Sequence, residues 1–223
     1  MTTTALLLDL DGVLRLWPKE YSALESEHDL PLGSIGAAAF ESALLEQVIT
    51  GQVTDREWRS QVKAELARAY PFSRADEAVV AWSRPVGTVH HEVLHLVIQV
   101  RRYCAVGLIT NATDRLPLDL EELGLAKHLD FVINSSEVGF AKPSLEIFKH
   151  ALAKAGAQPG AAVFVDDTPS NVVAAEALGM RAHRFTSVGG LHAFLQSVGL
   201  LTNASNPALK RDCAKARSPL APR

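Results

Sequence analysis

Six residues of this chain could together carry out phosphoryl chemistry: Asp9 and Asp11 in Asp9-Leu10-Asp11-Gly12, Thr110 beside Asn111, Lys142 before Pro143, and the pair Asp166-Asp167. Four carboxylates gathered at one place cannot all stay ionised unaided, because like charges at short range raise each other's pKa. A hard divalent cation resolves the conflict, and magnesium takes a few carboxylate oxygens together with water and phosphate oxygens. Lys142 supplies a further positive charge. Such a set is suited to gripping a phosphoryl group and neutralising its equatorial oxygens in the transition state. Alternate strand residues point the same way, so Asp9 and Asp11 can reach one site. One carboxylate can then attack phosphorus while the second protonates the leaving alkoxide and later deprotonates water. Gly12 allows a sharp turn and frees amide N–H groups to face the phosphate. Each piece alone is weak, since Asp-x-Asp-Gly is often a turn and Asp-Asp often a solvated loop. Their order and placement carry the reading.

The placement comes from the runs that precede these residues. Apolar runs at Ala5–Leu8, Cys104–Ile109, Phe131–Ile133 and Ala162–Val165, with a fifth candidate at Arg181–Phe185, read as buried parallel strands. Helical segments separate them, as crossover connections require. Residues 145–155 put Leu145, Phe148, Leu152 and Ala155 on one face, with Pro143 suited to a first turn. Residues 170–178 stop at Gly179, and 114–123 at Gly124. The predicted fold is α/β, a Rossmann-like parallel sheet flanked by helices. In such sheets ligands bind beyond the carboxyl ends of the strands, which is where the six residues fall.

Residues 15–85 break the alternation. They show no strand, yet Leu24, Phe40, Leu44, Leu45, Val48, Trp58, Val62 and Leu66 fall at helical spacing between Pro and Gly punctuation. This segment reads as a small helical cap inserted into a core formed by residues 1–14 and 86–201. Residues 202–223 carry five basic side chains against Asp212 and no aromatic residue, and are expected to be a disordered basic tail. A net charge of −3 argues against a nucleic-acid or anionic-membrane partner. Cys104 and Cys213 make a structural disulfide an unattractive reading, and the first residues lead straight into a strand rather than a signal peptide. Together these point to a cytoplasmic protein, monomeric or weakly dimeric.

The motifs resemble those of the haloacid dehalogenase-like superfamily, all four in family order. Leu8 to Leu14 resembles the first motif, Leu108-Ile109-Thr110-Asn111 the second, Gly139 to Pro143 the third, and Val163 to Val172 the fourth. The resemblance implies that Asp9 is the nucleophile and a metal ligand, and that Asp11 is the general acid and base, its backbone carbonyl also on the metal. It implies that Gly12, Thr110, Asn111 and Lys142 hold the phosphoryl group. Asp166 and Asp167 would complete a Mg2+ site. Dehalogenase members lack an acid at the position of Asp11, so the resemblance favours phosphate esters. The cap position is similar to that of sugar phosphatases, mutases and the phosphatase domain of mammalian soluble epoxide hydrolase, which implies a small phosphorylated metabolite, a sugar phosphate or similar, as substrate.

Three other readings compete. A phosphomutase would use the same nucleophile and return the phosphoryl group to the substrate. A silent binding module would have lost Asp9 or Asp11, and neither is missing. His91-Glu92-Val93-Leu94-His95 matches H-E-x-x-H, which on a helix can bind zinc with Glu as base. That helix leads into the strand at 104–109, away from the carboxylate edge, and no third ligand is evident nearby. The bland reading is a surface helix. Trp17 and Trp58 read as cap core in preference to pocket lining.

Overall fold

The computed structural model describes residues 3–17 and 22–201. The tail at 202–223, with Cys213, lies outside the described residues. In chain order, β1 (Ala5–Leu8) is followed by a short β2 (Arg15–Leu16) and five helices: α1 (Ser22–Glu27), α2 (Ser34–Ala39), α3 (Ser42–Ile49), α4 (Asp55–Leu66) and α5 (Phe72–Ser83). A short β3 (Thr88–Val89) then leads to α6 (His91–Val100), β4 (Ala105–Thr110), α7 (Leu116–Glu122) and β5 (Phe131–Asn134). The chain finishes with α8 (Ser135–Val138), α9 (Leu145–Ala155), β6 (Ala162–Asp166), α10 (Pro169–Ala177), β7 (Arg181–Arg184) and α11 (Val188–Ser197).

Five strands form one parallel sheet in the order β5-β4-β1-β6-β7. Side chains alternate across it. Leu6, Leu8, Val106 and Leu108 face a cluster built with α6, α7 and α11, whereas Ala5, Leu7, Ile109 and Phe164 face α9 and α10. Both faces are covered, so both sets are buried and the strands read as unbroken apolar runs. In α9 the buried face is Ile147, Phe148, Ala151 and Leu152. Leu145, at the first helical position after the Ser144 cap, is exposed instead.

The cap range 15–85 is not strandless as expected, since Arg15–Leu16 form β2; the described residues between β2 and β3 form α1 to α5 joined by turns, with a core of Ile35, Val48, Trp58, Val62 and Trp82. α4 opens with a capping box in which the Thr54 and Glu57 side chains satisfy each other's backbone amides. The antiparallel pairing of β2 with β3 ties the two crossings between cap and sheet together, through Arg15 beside Val89 and Leu16 beside Thr88. No helix among the described residues is long and apolar enough to cross a membrane.

Candidate active site

The register of the sheet brings the chemistry to one edge. Leu8 of β1 lies beside Leu108 of β4 and Val165 of β6, so Asp9, Thr110 and Asp166 emerge together at the carboxyl ends. Asp9 N donates to the Val165 carbonyl at 2.9 Å, holding the first residue after β1 against β6. Asp9, Thr110, Lys142 and Asp166 are all buried there.

Lys142 is the centre of the charge arrangement. Its ammonium lies 2.7 Å from Asp9 Oδ1 and 2.7 Å from Asp166 Oδ2. Asp166 Oδ1 also accepts from Thr168 N at 2.8 Å and Asn171 Nδ2 at 3.1 Å, so α10 presents its first turn to this carboxylate. Asn111 clamps the Lys142 main chain from both sides: its Nδ2 donates to Lys142 O at 2.9 Å, and its Oδ1 accepts from Lys142 N at 2.7 Å. The Asn111 amide is thus engaged in placing Lys142, a role distinct from the phosphate contact expected of it. Asn134 and Ser135, both buried, bond the main chain of Ala112 and Thr113 and fix the loop after β4.

One oxygen each from Asp9, Asp166 and Asp167 lies within 4.8 Å of the others, the one such group among the described residues. One ammonium faces two buried carboxylates and a third close by. Burial, with Asp166 adding and Lys142 opposing, pushes the Asp9 carboxyl up from 3.8 to about 7. The excess negative charge and the all-oxygen donor set fit a hard divalent cation. Gly12 is held at φ 79°, and a Cβ there would overlap the Asp167 carboxylate, so the turn after Asp9 admits glycine for two reasons.

The Asp11 carboxylate stands apart from this group. It accepts from Arg15 Nε at 2.6 Å, Arg15 Nη2 at 2.9 Å and Trp17 Nε1 at 2.7 Å. Arg15 also donates to Asp119 at 3.0 Å and is buried between the two acids. Asp11, Trp17, Trp58 and Asn111 line a cavity between the cap and the sheet edge, so both tryptophans reach the pocket although Trp58 is also cap core. The pairing of Arg15 with Asp119 has no spacing signal in the sequence and is set by the fold, whereas Asn171 falls within the fourth motif. His91 and His95 are exposed on α6, which starts beside the cap crossing where His90 N donates to Leu14 O, and neither belongs to a metal-capable group among the described residues.

A model of the haloacid dehalogenase-like hydrolase family matches residues 3–179, and the chain belongs to that family of hydrolases. The chain is 39% identical over 174 residues to phosphoserine phosphatase of Thermus thermophilus, covering 73% of this chain and 63% of the relative. It is 27% identical over 192 residues to bifunctional epoxide hydrolase 2 of Mus musculus, covering 77% of this chain. The chain spans about a third of the length of that mouse protein and of its rat counterpart (34% each). Among solved structures, a HAD family enzyme of Bacteroides thetaiotaomicron superposes with a TM-score of 0.70 at 21% identity, covering 87% of this chain and 99% of that one. The same enzyme has been solved with magnesium and inorganic phosphate (TM-score 0.62, 22% identity, covering 82% of this chain and 94% of that one). At these identities the likeness to solved structures is one of fold.

Proposed function

We propose that this chain is a magnesium-dependent phosphatase acting on a small phosphate monoester through an aspartyl-phosphate on Asp9. The observation that carries the reading is the buried Asp9 carboxylate set between the Lys142 ammonium and the Asp166–Asp167 pair at the strand edge. The Thermus relative's name and the magnesium–phosphate complex of the Bacteroides enzyme support it. Dehalogenation is the other chemistry suggested by the family's name, and Asp11 weighs against it. A departing halide needs no proton, whereas an alkoxide does.

In this mechanism an Asp9 oxygen attacks phosphorus, forming the aspartyl P–O bond as the ester P–O bond breaks. Asp11, released from Arg15 and Trp17 and carrying a proton, gives that proton to the leaving oxygen. Water then attacks phosphorus, its proton passes to Asp11, and the bond to Asp9 breaks to free phosphate. Lys142 holds the phosphoryl oxygens together with Thr110 and the amides of the Gly12 turn. Asp9, Asp166, Asp167 and the Asp11 carbonyl would hold magnesium, which supplies charge neutralisation to the phosphoryl oxygens when bound. The cap excludes water and shapes the pocket for the leaving group.

The test is hydrolysis of p-nitrophenyl phosphate with and without magnesium, beside Asp9→Asn. Magnesium-dependent phosphate release that disappears in the variant is expected. Release by the variant at the wild-type rate would remove Asp9 from the chemistry.

A further inference from the structure

The cavity between cap and sheet edge measures about 360 Å³, at the small end for small-molecule sites and large enough for one or two rings. Its cap wall is largely apolar, with Phe40 just after α2, Leu45, Val48 and Ile49 of α3, and Trp58 and Trp82 of α4 and α5. Trp58 and Trp82 pack edge to face, 5.1 Å between ring centroids.

Six ionisable side chains also line the cavity: Asp11, Arg15, Asp55, Arg59, Arg115 and Asp119. Three are cationic and three anionic, and they pair with one another within the wall. Arg15 joins Asp11 to Asp119, at 2.6 and 3.0 Å. Arg115 Nε lies 2.9 Å from the other Asp119 oxygen, close enough for an ion pair but without hydrogen-bond alignment. Arg59 Nε lies 2.5 Å from Asp55, and its guanidinium sits 5.1 Å from the Trp82 ring centroid. The uncharged polar side chains are engaged as well. Thr113 Oγ1 donates to Asp55 at 3.1 Å and accepts from Arg115 N at 3.2 Å, and the Asn111 amide is closed on the Lys142 main chain.

A cavity whose formal charges balance, whose cap side is largely aromatic and aliphatic, and most of whose polar side chains are partnered in the resting site favours apolar occupants. Resting on the phosphatase reading above, we infer that it takes an uncharged, mainly apolar alcohol moiety, a flat ring or branched alkyl group, as the leaving group of the monoester. The several hydroxyls of a sugar would give up water for few free partners, Asp119 Oδ1 and the groups that Asp11 leaves. A zwitterionic leaving group such as serine would bring two further charges to a wall whose own charges balance three against three. A ring gains by burial and by contact with the indole edges. This departs from the sugar phosphates that the cap's position suggests.

Two measurements test the inference separately from the phosphatase reading. Benzyl phosphate, glucose 6-phosphate and O-phosphoserine are all esters of primary alcohols, so comparing their kcat/KM with magnesium keeps leaving-group reactivity similar. Benzyl phosphate is expected to be favoured by at least about tenfold, the scale of discrimination a hydrophobic pocket supplies. Binding is read independently from intrinsic fluorescence, because all three tryptophans of the chain, Trp17, Trp58 and Trp82, line this cavity. Benzyl alcohol should shift that fluorescence saturably, while glucose and serine should not. Equal or better turnover of a polar ester would overturn the inference and leave the phosphatase reading standing. Saturable benzyl alcohol binding by a protein that hydrolyses none of the esters would uphold the cavity's preference and overturn the phosphatase reading. Fluorescence that responds to glucose or serine but not to benzyl alcohol would overturn the inference outright.

Discussion

The metal-free site should destabilise its own fold at neutral pH, and Asp9→Asn should relieve it. In the folded chain the Asp9 carboxyl is pushed from 3.8 up to about 7, chiefly by burial. Between those values the unfolded chain ionises Asp9 while the folded chain keeps it protonated. Ionisation therefore favours unfolding, and stability falls as pH rises from about 4 to about 7, then levels off. At about 1.36 kcal/mol per pKa unit, a rise of roughly 3 units amounts to about 4 kcal/mol. For a chain of this size that is roughly ten degrees in Tm. An asparagine has nearly the same shape and does not titrate there. The assay is thermal unfolding of wild type and Asp9→Asn in EDTA from pH 4 to 8.5. Groups remote from Asp9 titrate alike in both proteins, so the difference between the two curves reports Asp9 together with the charges that touch it. The gap should widen in favour of the variant up to about pH 7 and then hold, and magnesium should narrow it by stabilising the wild-type native state. Parallel curves across the whole range would refute the claim that Asp9 is buried with excess negative charge around it.

Three further perturbations probe the parts that place the chemistry. Lys142→Ala leaves Asp9 and Asp166 facing each other without their shared cation; kcat on p-nitrophenyl phosphate should fall by at least about a hundredfold, the usual cost of removing one aligned electrostatic group, and unchanged kinetics would take Lys142 out of the site. Asn111→Ala removes both bonds that locate the Lys142 main chain; it should lower kcat more than it raises KM, and an effect confined to KM would mean that Asn111 contacts substrate instead of positioning Lys142. Gly51, at the end of α3, has φ 76° and lies where a Cβ would overlap the Ser136 carbonyl of the core. Gly51→Ala should therefore hold the cap away from the core and reduce kcat/KM by about tenfold or more, with a left-handed backbone penalty of about 1 kcal/mol in the melting curve; wild-type kinetics would show that this contact is not needed for closure.

Much of the design could be read from sequence because it is local. Apolar runs buried on both faces marked the strands, and the residue following each run marked the site edge, since a parallel sheet delivers every carboxyl end to the same side. Asp9, Thr110 and Asp166 needed only that rule to be gathered; Lys142, beyond α8, did not follow from it. The helical character of residues 15–85 was legible from spacing except at Arg15–Leu16, which form a strand, and Gly12 was legible as a turn, though its second reason, the Asp167 carboxylate against its Cα, was not.

What only the tertiary structure decided concerns partners distant in the chain. Asn111 meets Lys142 across 31 residues, and Arg15 meets Asp119 across 104. No periodicity encodes such pairs, because they follow from how the cap crossing, the loop after β4 and α7 settle against one another. The same is true of the cavity. Arginines and aspartates scattered through the sequence as ordinary surface charges become a neutralised wall only when Asp55 and Arg59 of the cap close over Asp11, Arg15, Arg115 and Asp119 of the core. The sequence thus determined which polar groups gather at the carboxyl edge of the sheet, because strand ends are set by local apolar pattern. The structure determined how those groups pair and what lines the cavity, because pairing and burial are properties of surfaces that meet only in the folded chain.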